Sequence, residues 1–353
     1  MVKLPTINDV KVKDKRVLLR LDTDVPLHFV QGKRVVEDDF RLKVTQPTIE
    51  FLLDRGASQI IILGKLGRPK GRDKRFSLRP VAKHLEKMIG KKITLINVPE
   101  VAKVPNVPKE KIVMLENLRF DDGEEENDSE FAKKLASLGQ IYINESFADS
   151  HRKHASIVAL PQHLKSKFKN SVFAGLRFAA EVEHLEKVLV KSERPLVFII
   201  GGAKSDKAAY IEKLMDIGDW VLVGGLLPRM VKSVFREDGK VCVSAAHLLP
   251  GGRDIDETSA INFAAIAANA GTIVWDGPLG MCEDKEFARG TEIVARAVAR
   301  NENAFKVVGG GHTVPCLKKI GVLDKMNWVS TGGGSMLEFL VTGDLPGLKA
   351  LRE

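Results

Sequence analysis

Short apolar runs alternate with amphipathic stretches along most of this chain of 353 residues. Val197–Ile200 is typical of the runs, because it is unbroken and ends at a glycine pair, as a strand buried on both faces would. The stretch Arg41–Arg55 is typical of the others, since its apolar side chains fall on one helical face. The alternation predicts an α/β protein with mostly parallel sheets flanked by helices.

The pattern places strands and helices throughout the chain. Strands are predicted at Arg16–Leu21, Gln59–Leu63, Ile112–Leu115, Gln140–Ile143, Leu196–Ile200, Trp220–Val223, Thr272–Trp275, Phe305–Val308 and Trp328–Ser330. Helices are predicted at about Arg41–Arg55, Ser77–Met88, Ser129–Ser137, Asp206–Met215, Pro228–Phe235, Glu257–Ala268, Lys285–Ala299, Thr313–Ile320 and Ser335–Val341.

A long helix divides the pattern into two halves. Residues 177–191 show one apolar stripe, and Arg194-Pro195 ends it. The chain is also too long for one typical domain. We therefore predict two Rossmann-like domains, over residues 1–176 and 193–339, joined by a hinge helix over residues 177–192.

Composition indicates a soluble globular protein, with 44% hydrophobic and 29% charged residues. No apolar run is long enough to span a membrane, and the first residues lack the apolar core of a signal peptide. We therefore expect a cytoplasmic protein with no membrane partner. Cys242, Cys282 and Cys316 lack metal-ligand spacing, so we expect ordinary thiols in a reducing compartment.

The formal net charge of +9 is compatible with either small anionic substrates or nucleic acid. The basic residues are interspersed with acids, and the chain contains only 2 Tyr. Because single-stranded nucleic acid is usually held by aromatic stacking within a basic surface, this pattern disfavours a nucleic-acid partner.

The segment Gly201–Lys207 combines a strand end, a glycine turn, Lys204, Lys207 and the start of a helix. Such a turn presents backbone N–H groups and a helix dipole to an anion, although an ordinary turn with solvated lysines has the same composition. Further glycines follow the strands at Gly224-Gly225, Gly277, Gly309-Gly310-Gly311 and Gly332-Gly333-Gly334. Ligands of open α/β sheets bind at this edge, so the repetition favours a nucleotide-sized anion.

Arginines follow successive strands of the first half. Arg68, Arg119 and Arg152 lie at such positions and could converge with Arg41. The guanidinium group suits bidentate recognition of phosphate or carboxylate.

The chain resembles the phosphoglycerate kinase family over nearly its whole length. The resemblance is carried, in order, by Arg16-Val-Leu-Leu-Arg-Leu-Asp-Thr-Asp-Val-Pro26, Leu66-Gly-Arg-Pro-Lys-Gly71, Leu115-Glu-Asn-Leu-Arg-Phe120, His151-Arg-Lys-His-Ala155, Gly201-Gly-Ala-Lys204, Trp275-Asp-Gly-Pro-Leu-Gly280 and Ser330-Thr-Gly-Gly-Gly334.

The resemblance implies which residues bind substrates, with 3-phosphoglycerate in the N-terminal domain and ATP or ADP with Mg²⁺ in the C-terminal domain. The implied phosphoglycerate-binding residues are Asp22, Asp24, Arg41, Lys65, Arg68, Arg119 and Arg152. The implied nucleotide-binding residues are Gly202, Lys204, Lys207, Asp276, Glu283, Gly310, Gly311, His312 and Thr313. The implied catalytic residues are Arg41, Lys204, Gly311 and Gly334. The family also implies a monomer whose tail, from about 340 to 353, returns to the first domain.

The sequence departs from the family pattern at several of these positions. Asp24 and Asp276 replace Asn, and Lys65 replaces His. The lysine loop is one residue short, which rotates one lysine by roughly 100° relative to the other on a helical turn. The chain is also several tens of residues shorter than is usual, mostly between Gly225 and Asp256.

The usual magnesium ligand, an Asp, is His312 here. Mg²⁺ prefers oxygen ligands, so its ligand is left open: a bridging water, another divalent ion or Asp276 could compensate.

The predicted function is therefore reversible phosphoryl transfer between 1,3-bisphosphoglycerate with ADP and 3-phosphoglycerate with ATP, in glycolysis and gluconeogenesis. Two alternatives stay open at this point. One is a diverged paralogue that phosphorylates another phosphorylated acid or uses another nucleotide. The other is a catalytically silent metabolite-binding protein.

Overall fold

The computed structural model describes residues 3–97, 110–235 and 241–353. The chain forms two compact units. The first unit comprises Met1–Val182 and Leu345–Glu353, and the second comprises Glu183–Asp344.

The first unit is built on a parallel sheet. Its strands are β1 (Arg16–Arg20), β4 (Gln59–Leu63), β5 (Ile93–Ile96), β6 (Ile112–Leu115), β7 (Ile141–Asn144) and β8 (Val172–Ala174), and β2 (Leu27–Val30) and β3 (Lys33–Val36) form a separate hairpin. Among the described residues the sheet order is β5-β6-β4-β1-β7-β8. β4, β6 and β7 are buried along their whole length, which explains their continuous apolar sequence.

Helices cover this sheet. They are α1 (Phe40–Lys43), α2 (Gln46–Asp54), α3 (Arg79–Ile89), α4 (Asp122–Glu125), α5 (Ser129–Ala136), α6 (Ala159–Lys167) and, at the chain end, α13 (Pro346–Arg352). α13 belongs to the first unit: Leu348 and Leu351 are buried, and the Gly347 N–H donates to the Ser150 carbonyl oxygen at 2.9 Å.

The second unit repeats the design. Its strands are β9 (Leu196–Ile200), β10 (Trp220–Val223), β11 (Val234–Phe235), β12 (Val241–Ala245), β13 (Thr272–Asp276), β14 (Phe305–Gly309) and β15 (Trp328–Val329). Its helices are α8 (Ala208–Ile217), α9 (Glu257–Ala268), α10 (Arg289–Arg300), α11 (Thr313–Ile320) and α12 (Gly333–Thr342). In the described residues the sheet order is β11-β12-β10-β9-β13-β14-β15, and every pair except β11–β12 is parallel.

The predicted α/β class with parallel sheets flanked by helices is confirmed. One predicted helix, Pro228–Phe235, is wrong. Leu227–Arg229 forms a single 3-10 turn, and Val234–Phe235 pairs antiparallel with β12. Pairing with the next strand along the chain, β12, outweighs local helix propensity there. The β2–β3 hairpin, β5, β8 and β12 are additional strands.

The predicted helix Arg41–Arg55 is two helices, α1 and α2. Pro47 stands in the first turn of α2, where its missing N–H group and fixed φ are tolerated.

Two of the three cysteines contradict the expectation of ordinary thiols. Cys282 and Cys316 form a disulfide with 5.7 Å between their Cα atoms, and Cys242 is a buried free thiol. The bond joins the segment after β13 to α11. The fold of the sheet therefore brings the two cysteines together, although they are far apart in the sequence.

A single helix, α7 (Leu176–Lys191), contains the boundary between the units, which falls after Val182. The first unit holds its start through the buried carboxylate of Glu145. Oε1 accepts from the Arg177 N–H and Oε2 from the Phe178 N–H, each at 3.0 Å, and the Thr48 hydroxyl donates to Oε1. The hinge role of this helix stays a prediction.

Burial raises the pKa of Glu145 to about 7, against about 4.3 for an exposed Glu. Between these values the folded state binds the proton and the unfolded state does not. The stability that Glu145 contributes is therefore complete below the lower value and is lost as the pH rises to about 7.

We expect Glu145→Gln to lower the free energy of unfolding by about 1–3 kcal/mol, because an amide nitrogen would face a backbone donor. The variant should also lose the decline in stability that the wild type shows between about pH 5 and about pH 8. Urea unfolding at both pH values measures both effects, with the exposed Glu126→Gln as control. An unchanged pH dependence in Glu145→Gln would contradict the prediction.

Candidate active site

The loop after β1 begins the cluster of charged residues in the first unit. The Arg41 guanidinium contacts the Asp22 carboxylate, with Nη1 and Oδ2 3.2 Å apart, and donates to the Asp24 carbonyl oxygen at 3.0 Å. Burial raises the pKa of Asp22, and the Arg41 charge opposes that shift. The attraction of Asp22 raises the pKa of Arg41 in turn. Asp22 thus orients an arginine whose side chain remains 24% exposed.

Lys65 lies between two aspartates. Its Nζ is 2.5 Å from Asp24 Oδ2 and 3.1 Å from Asp149 Oδ1. The other Asp24 oxygen, Oδ1, accepts from the Gly67 N–H at 2.8 Å. Burial opposes ionisation of Asp24, but the Lys65 ammonium outweighs it and holds the pKa of Asp24 below its usual value. Asp24 and Lys65, two departures from the family pattern, therefore neutralise each other and fix the loop after β4.

Asp149 continues this cluster into the interior and is a residue that the sequence patterns did not predict. The fully buried Arg20 donates from Nη2 to Asp149 Oδ2 at 3.0 Å. The Ser146 hydroxyl donates to the same oxygen at 3.0 Å. Burial opposes ionisation, but Lys65 and Arg20 hold the pKa of Asp149 well below its usual range. A sequence signal for this pair exists, because an arginine inside an apolar strand needs a buried carboxylate.

Two further groups surround Arg20. Its Nε donates to the Ser156 hydroxyl at 2.9 Å, and that hydroxyl donates to Glu124 Oε1 at 2.6 Å. His154 is buried beside them, and burial lowers its pKa to about 3. The imidazole of His154 is therefore neutral at physiological pH.

Arg119 joins the loop after β6 to the same network. Its Nη1 donates to the Gly67 carbonyl oxygen at 2.6 Å, and its Nη2 lies 3.0 Å from Glu125 Oε1. Arg68 is exposed and Arg152 is half-buried, and neither forms an ion pair with a described residue. The structure thus links Asp22, Asp24, Arg41, Lys65 and Arg119, and leaves the guanidinium groups of Arg68 and Arg152 available to a ligand.

In the second unit, the glycine turns that follow β9 and β13 pack against each other. The Gly201 N–H donates to the Asp276 carbonyl oxygen at 2.9 Å, and the Gly202 N–H donates to the Pro278 carbonyl oxygen at 2.8 Å. A Cβ on Gly201 would lie 2.2 Å from the Pro278 oxygen, so only glycine fits there. Gly277 adopts φ +99°, which also favours glycine.

Lys207 turns inward onto this packed turn. Its Nζ is 2.7 Å from Asp276 Oδ2 and donates to the Gly201 carbonyl oxygen at 3.0 Å. Asp276 is 1% exposed, and its Oδ1 lies so close to Gly310 and Gly333 that a Cβ on either would approach within 2.3 Å. The negative charge of Asp276 is therefore balanced by Lys207 inside the protein.

The exposed face of this edge carries the remaining residues implied by the resemblance. Lys204 is exposed and forms no ion pair with the part of the chain that the structure describes. Gly311 and His312 precede α11 and Gly334 lies in the first turn of α12, and all three are exposed. Helix N-termini with exposed backbone N–H groups are suited to bind anions.

A second group lies beside α11. His312 Nδ1 is 3.6 Å from Glu283 Oε1, and both side chains are largely exposed. The Lys319 ammonium donates to the Cys282 carbonyl oxygen at 2.9 Å, and the Cys282–Cys316 disulfide joins the same segment to α11. Thr313 is buried, and its hydroxyl accepts from the Gly277 N–H at 2.7 Å. Glu283 and His312 are thus held close together on the surface.

Comparison with known proteins identifies the relatives of this chain. A family model described as "Phosphoglycerate kinase" matches residues 7–245 and 233–343. A phosphoglycerate kinase of Moorella thermoacetica is 38% identical over 405 residues, covering 100% of both chains. One of Dictyoglomus turgidum is 36% identical, covering 98% of each.

Two solved structures resemble the chain along its length. The phosphoglycerate kinase of Coxiella burnetii aligns with a TM-score of 0.78 and 32% identity, covering 99% of both chains. The enzyme of Pyrococcus horikoshii aligns with a TM-score of 0.79 at 24% identity, covering 99% of this chain and 98% of that one. Its identity is low enough that it supports the fold alone.

The alignment with the Moorella relative extends over 405 positions, whereas the chain has 353 residues, so at least 52 positions (405 − 353) are gaps in this chain. Within the described ranges, no helix is long and apolar enough to cross a membrane.

The Asp24–Lys65 pair predicts coupled effects on stability. Lys65→Met should cost about 3 kcal/mol or more, because it removes a cation from between two carboxylates in a largely buried site. The double variant with Asp24→Asn should recover part of that cost, giving a coupling energy of about 0.5–3 kcal/mol. Urea unfolding of the two single variants and the double variant measures it.

The exposed Glu130–Lys133 pair supplies the control cycle, through Glu130→Gln and Lys133→Met. Its coupling energy should stay below about 1 kcal/mol, as for a surface pair. Equal coupling in both cycles would contradict a special role for Lys65.

Proposed function

The chain belongs to the phosphoglycerate kinase family, and from that premise we propose how its residues divide the reaction between them. The reaction is reversible phosphoryl transfer between 1,3-bisphosphoglycerate with ADP and 3-phosphoglycerate with ATP, and the carboxyl group of 3-phosphoglycerate is the acceptor. One observation carries the proposal. In each unit, exposed cations lie beside a rigid, buried cluster whose own charges are paired with each other.

The first unit binds 3-phosphoglycerate in this proposal. Arg68 and Arg152 supply guanidinium groups to the phosphate or carboxylate, which is supported by the absence of any ion pair between them and a described residue. Arg41 lies at the same edge, oriented by Asp22. Such fixed arginines suit planar, bidentate contacts with an anionic substrate.

Asp24, Lys65 and Arg119 shape the substrate loops in this proposal. Each contacts the loop after β4: Lys65 belongs to it, Asp24 accepts from the Gly67 N–H, and Arg119 donates to the Gly67 carbonyl. Since Lys65 already neutralises Asp24, the pair adds little net charge where the substrate binds. Their primary role is to hold Gly67 and Arg68 in position.

The second unit binds the nucleotide. Lys204 contacts the transferred phosphoryl group, and the backbone N–H groups of Gly311 and Gly334 face its oxygens. Exposure of these groups at the starts of α11 and α12 supports this role. Gly202, Gly310 and Thr313 shape the turn, and Glu283 binds the ribose.

Lys207 and Asp276 form a buried ion pair that supports this surface. Their 2.7 Å contact fixes the turns after β9 and β13. Lys207 therefore contributes to nucleotide binding chiefly by holding those turns in place.

Phosphoryl transfer has little need for covalent participation by the protein. It needs reactants in line and cations placed where negative charge develops. Arg41 from the first unit and Lys204 from the second supply those cations. The neutral His154 and the buried Asp149 take no proton in this scheme; they keep the loops rigid.

Mg²⁺ is expected to accompany the nucleotide. Among the described residues, no group of three or more His, Cys, Asp or Glu side chains could hold a metal. The Asp276 carboxylate is occupied by Lys207, and the imidazole of His312 is a poor magnesium ligand. The residues present do not fit a protein-held ion. We propose that Mg²⁺ enters as part of the nucleotide substrate, coordinated by its phosphates and water.

We further propose that the protein acts as a monomer in the cytoplasm. Its partners in this proposal are the small-molecule substrates alone.

The activity assay supplies 3-phosphoglycerate and Mg-ATP and couples the product to reduction of its acyl phosphate. We expect turnover in the wild type and a fall in kcat of about 10²–10³-fold in Lys204→Ala, as for loss of one transition-state donor. Lys207→Ala should instead lower the melting temperature, because it leaves Asp276 buried without its cation. Lys204→Ala should melt like the wild type.

Wild-type turnover no higher than that of Lys204→Ala, with both Mg²⁺ and Mn²⁺, would overturn the proposed activity. Calorimetry with ADP and with 3-phosphoglycerate would then separate a paralogue, which binds one of them or neither, from a silent protein that binds both.

His312→Asp tests the account of the metal. A carboxylate at this exposed position supplies an oxygen ligand, so we expect the KM for Mg-ADP to fall about 10-fold, the equivalent of 1.4 kcal/mol. His312→Asn is the control, because it removes the imidazole without adding a charge. A fall in kcat in both His312→Asp and His312→Asn would instead indicate that the imidazole has a role in transfer.

A further inference from the structure

The first unit contains a cavity of about 870 Å³ away from the residues proposed to bind substrate. It lies between the β2–β3 hairpin, helix α3 and the loop that leads into α3. Its volume is within the range of about 300–1,000 Å³ typical of small-molecule sites. Seven of its lining residues are lysine or arginine, so the cavity is strongly basic, although most of its lining surface is apolar, as is usual for such sites.

Helix α3 contributes one wall as a stripe of cations. Arg79, Lys83 and Lys87 recur every four residues, so they lie above one another on one face of the helix. Like charges at this spacing destabilise a helix. The helix therefore keeps an arrangement that is locally unfavourable, and a bound anion would relieve it.

The hairpin and the loop complete the wall. Lys33 and Arg34 come from β3, and Arg72 and Lys74 come from the loop before α3. Arg34 is half-buried, and its Nη1 is a buried atom with no hydrogen-bond partner among the described residues. A buried guanidinium nitrogen without an acceptor is costly, so this atom indicates a missing anionic partner.

The carboxylates at this wall are outnumbered by its cations: Glu116 lines the cavity and Asp73 lies close enough to Arg34 for their charges to interact, against seven lysines and arginines. Glu116 lines the cavity, but its oxygens accept from the backbone N–H groups of Leu78 and Asn117 and from the Ser77 hydroxyl. The nearby Asp73 is paired with Arg75 at 2.7 Å. Within the described ranges, none of the seven lysines and arginines that line the cavity forms an ion pair.

The cavity is separate from the proposed phosphoglycerate site. Arg41, Arg68, Arg119 and Arg152 do not line it. His84, on its wall, is held by Asp39 with Nε2 and Oδ2 3.1 Å apart, and it supplies no further acceptor to the cavity.

We propose that this cavity binds a small anion carrying three or more clustered phosphate groups, such as a linear polyphosphate or a ring alcohol that bears several phosphates. A single phosphate can neutralise only a few of the charges, whereas several linked phosphates reach all three walls at once. The Arg34 guanidinium, whose Nη1 lacks an acceptor, contacts one phosphate, and the α3 stripe contacts the others. Arginine and lysine are the side chains that bind phosphate oxygens most strongly.

The test is calorimetry of the full chain with inorganic tripolyphosphate, inositol hexakisphosphate and orthophosphate. We expect one site for each of the two polyphosphates and at least about 10-fold weaker binding of orthophosphate, because fewer charge-assisted contacts form. Binding should weaken as salt rises from about 0.05 M to about 0.2 M, since the cations are solvent-accessible. Whichever of tripolyphosphate and inositol hexakisphosphate binds more tightly identifies the source as a linear polyphosphate or a phosphorylated ring alcohol.

The double variant Arg34→Gln/Lys83→Gln should weaken polyphosphate binding at least about 10-fold, the equivalent of two charged contacts. The matched control Lys11→Gln/Lys169→Gln removes the same charge from exposed positions of the same unit. The control should change binding less than about 2-fold, because these lysines lie outside the cavity. The cavity variant should retain the wild-type melting temperature and turnover.

Three outcomes would overturn the proposal. Equal weakening in both double variants would mean that only net charge is sensed. Loss of polyphosphate binding in Arg68→Gln would place the anion at the proposed substrate site. Orthophosphate binding as tight as that of the polyphosphates would exclude recognition of clustered phosphates.

Discussion

The Lys65 ammonium, held between Asp24 and Asp149, is the contact on which the substrate-facing side of the first unit depends. Asp149 also accepts from the buried Arg20, and Asp24 also accepts from the Gly67 N–H, so one lysine connects the interior of the sheet to the loop that carries Arg68. Buried charges are stable only when they are paired and hydrogen-bonded. The cluster meets that condition, and it makes the loop after β4 rigid.

The second unit uses the same physical device with different residues. Lys207 neutralises Asp276, whose carboxylate is enclosed by the glycines of the turns around it. In each unit, an acid that departs from the family pattern is balanced by a lysine, and exposed cations such as Lys204 and Arg68 remain for ligands. The departures thus read as compensated pairs and are compatible with retained phosphotransfer chemistry.

The basic cavity beside α3 differs from these two clusters in its charge balance. Its cations outnumber the described carboxylates around them, and the Arg34 nitrogen that lacks an acceptor is part of its wall. Rigid, neutralised clusters support the proposed active site, whereas uncompensated charge marks the place where a further anion would bind. Charge balance, more than charge density, distinguishes the two kinds of surface.

Hydrophobic periodicity by itself determined the α/β class, most central strands and the glycine turns at strand ends, because apolar runs and glycine turns are local signals. The β2–β3 hairpin was missed although Gln31-Gly32 stands at its turn, and the Pro228–Phe235 helix was wrong because its last residues pair antiparallel with the next strand, β12. Motifs determined the family. Only the tertiary structure decided that Asp24 meets Lys65, that Lys207 meets Asp276 and that Cys282 meets Cys316. Each pair joins segments at or beyond the ends of different strands, and a parallel sheet brings such segments together at one edge regardless of their separation in sequence.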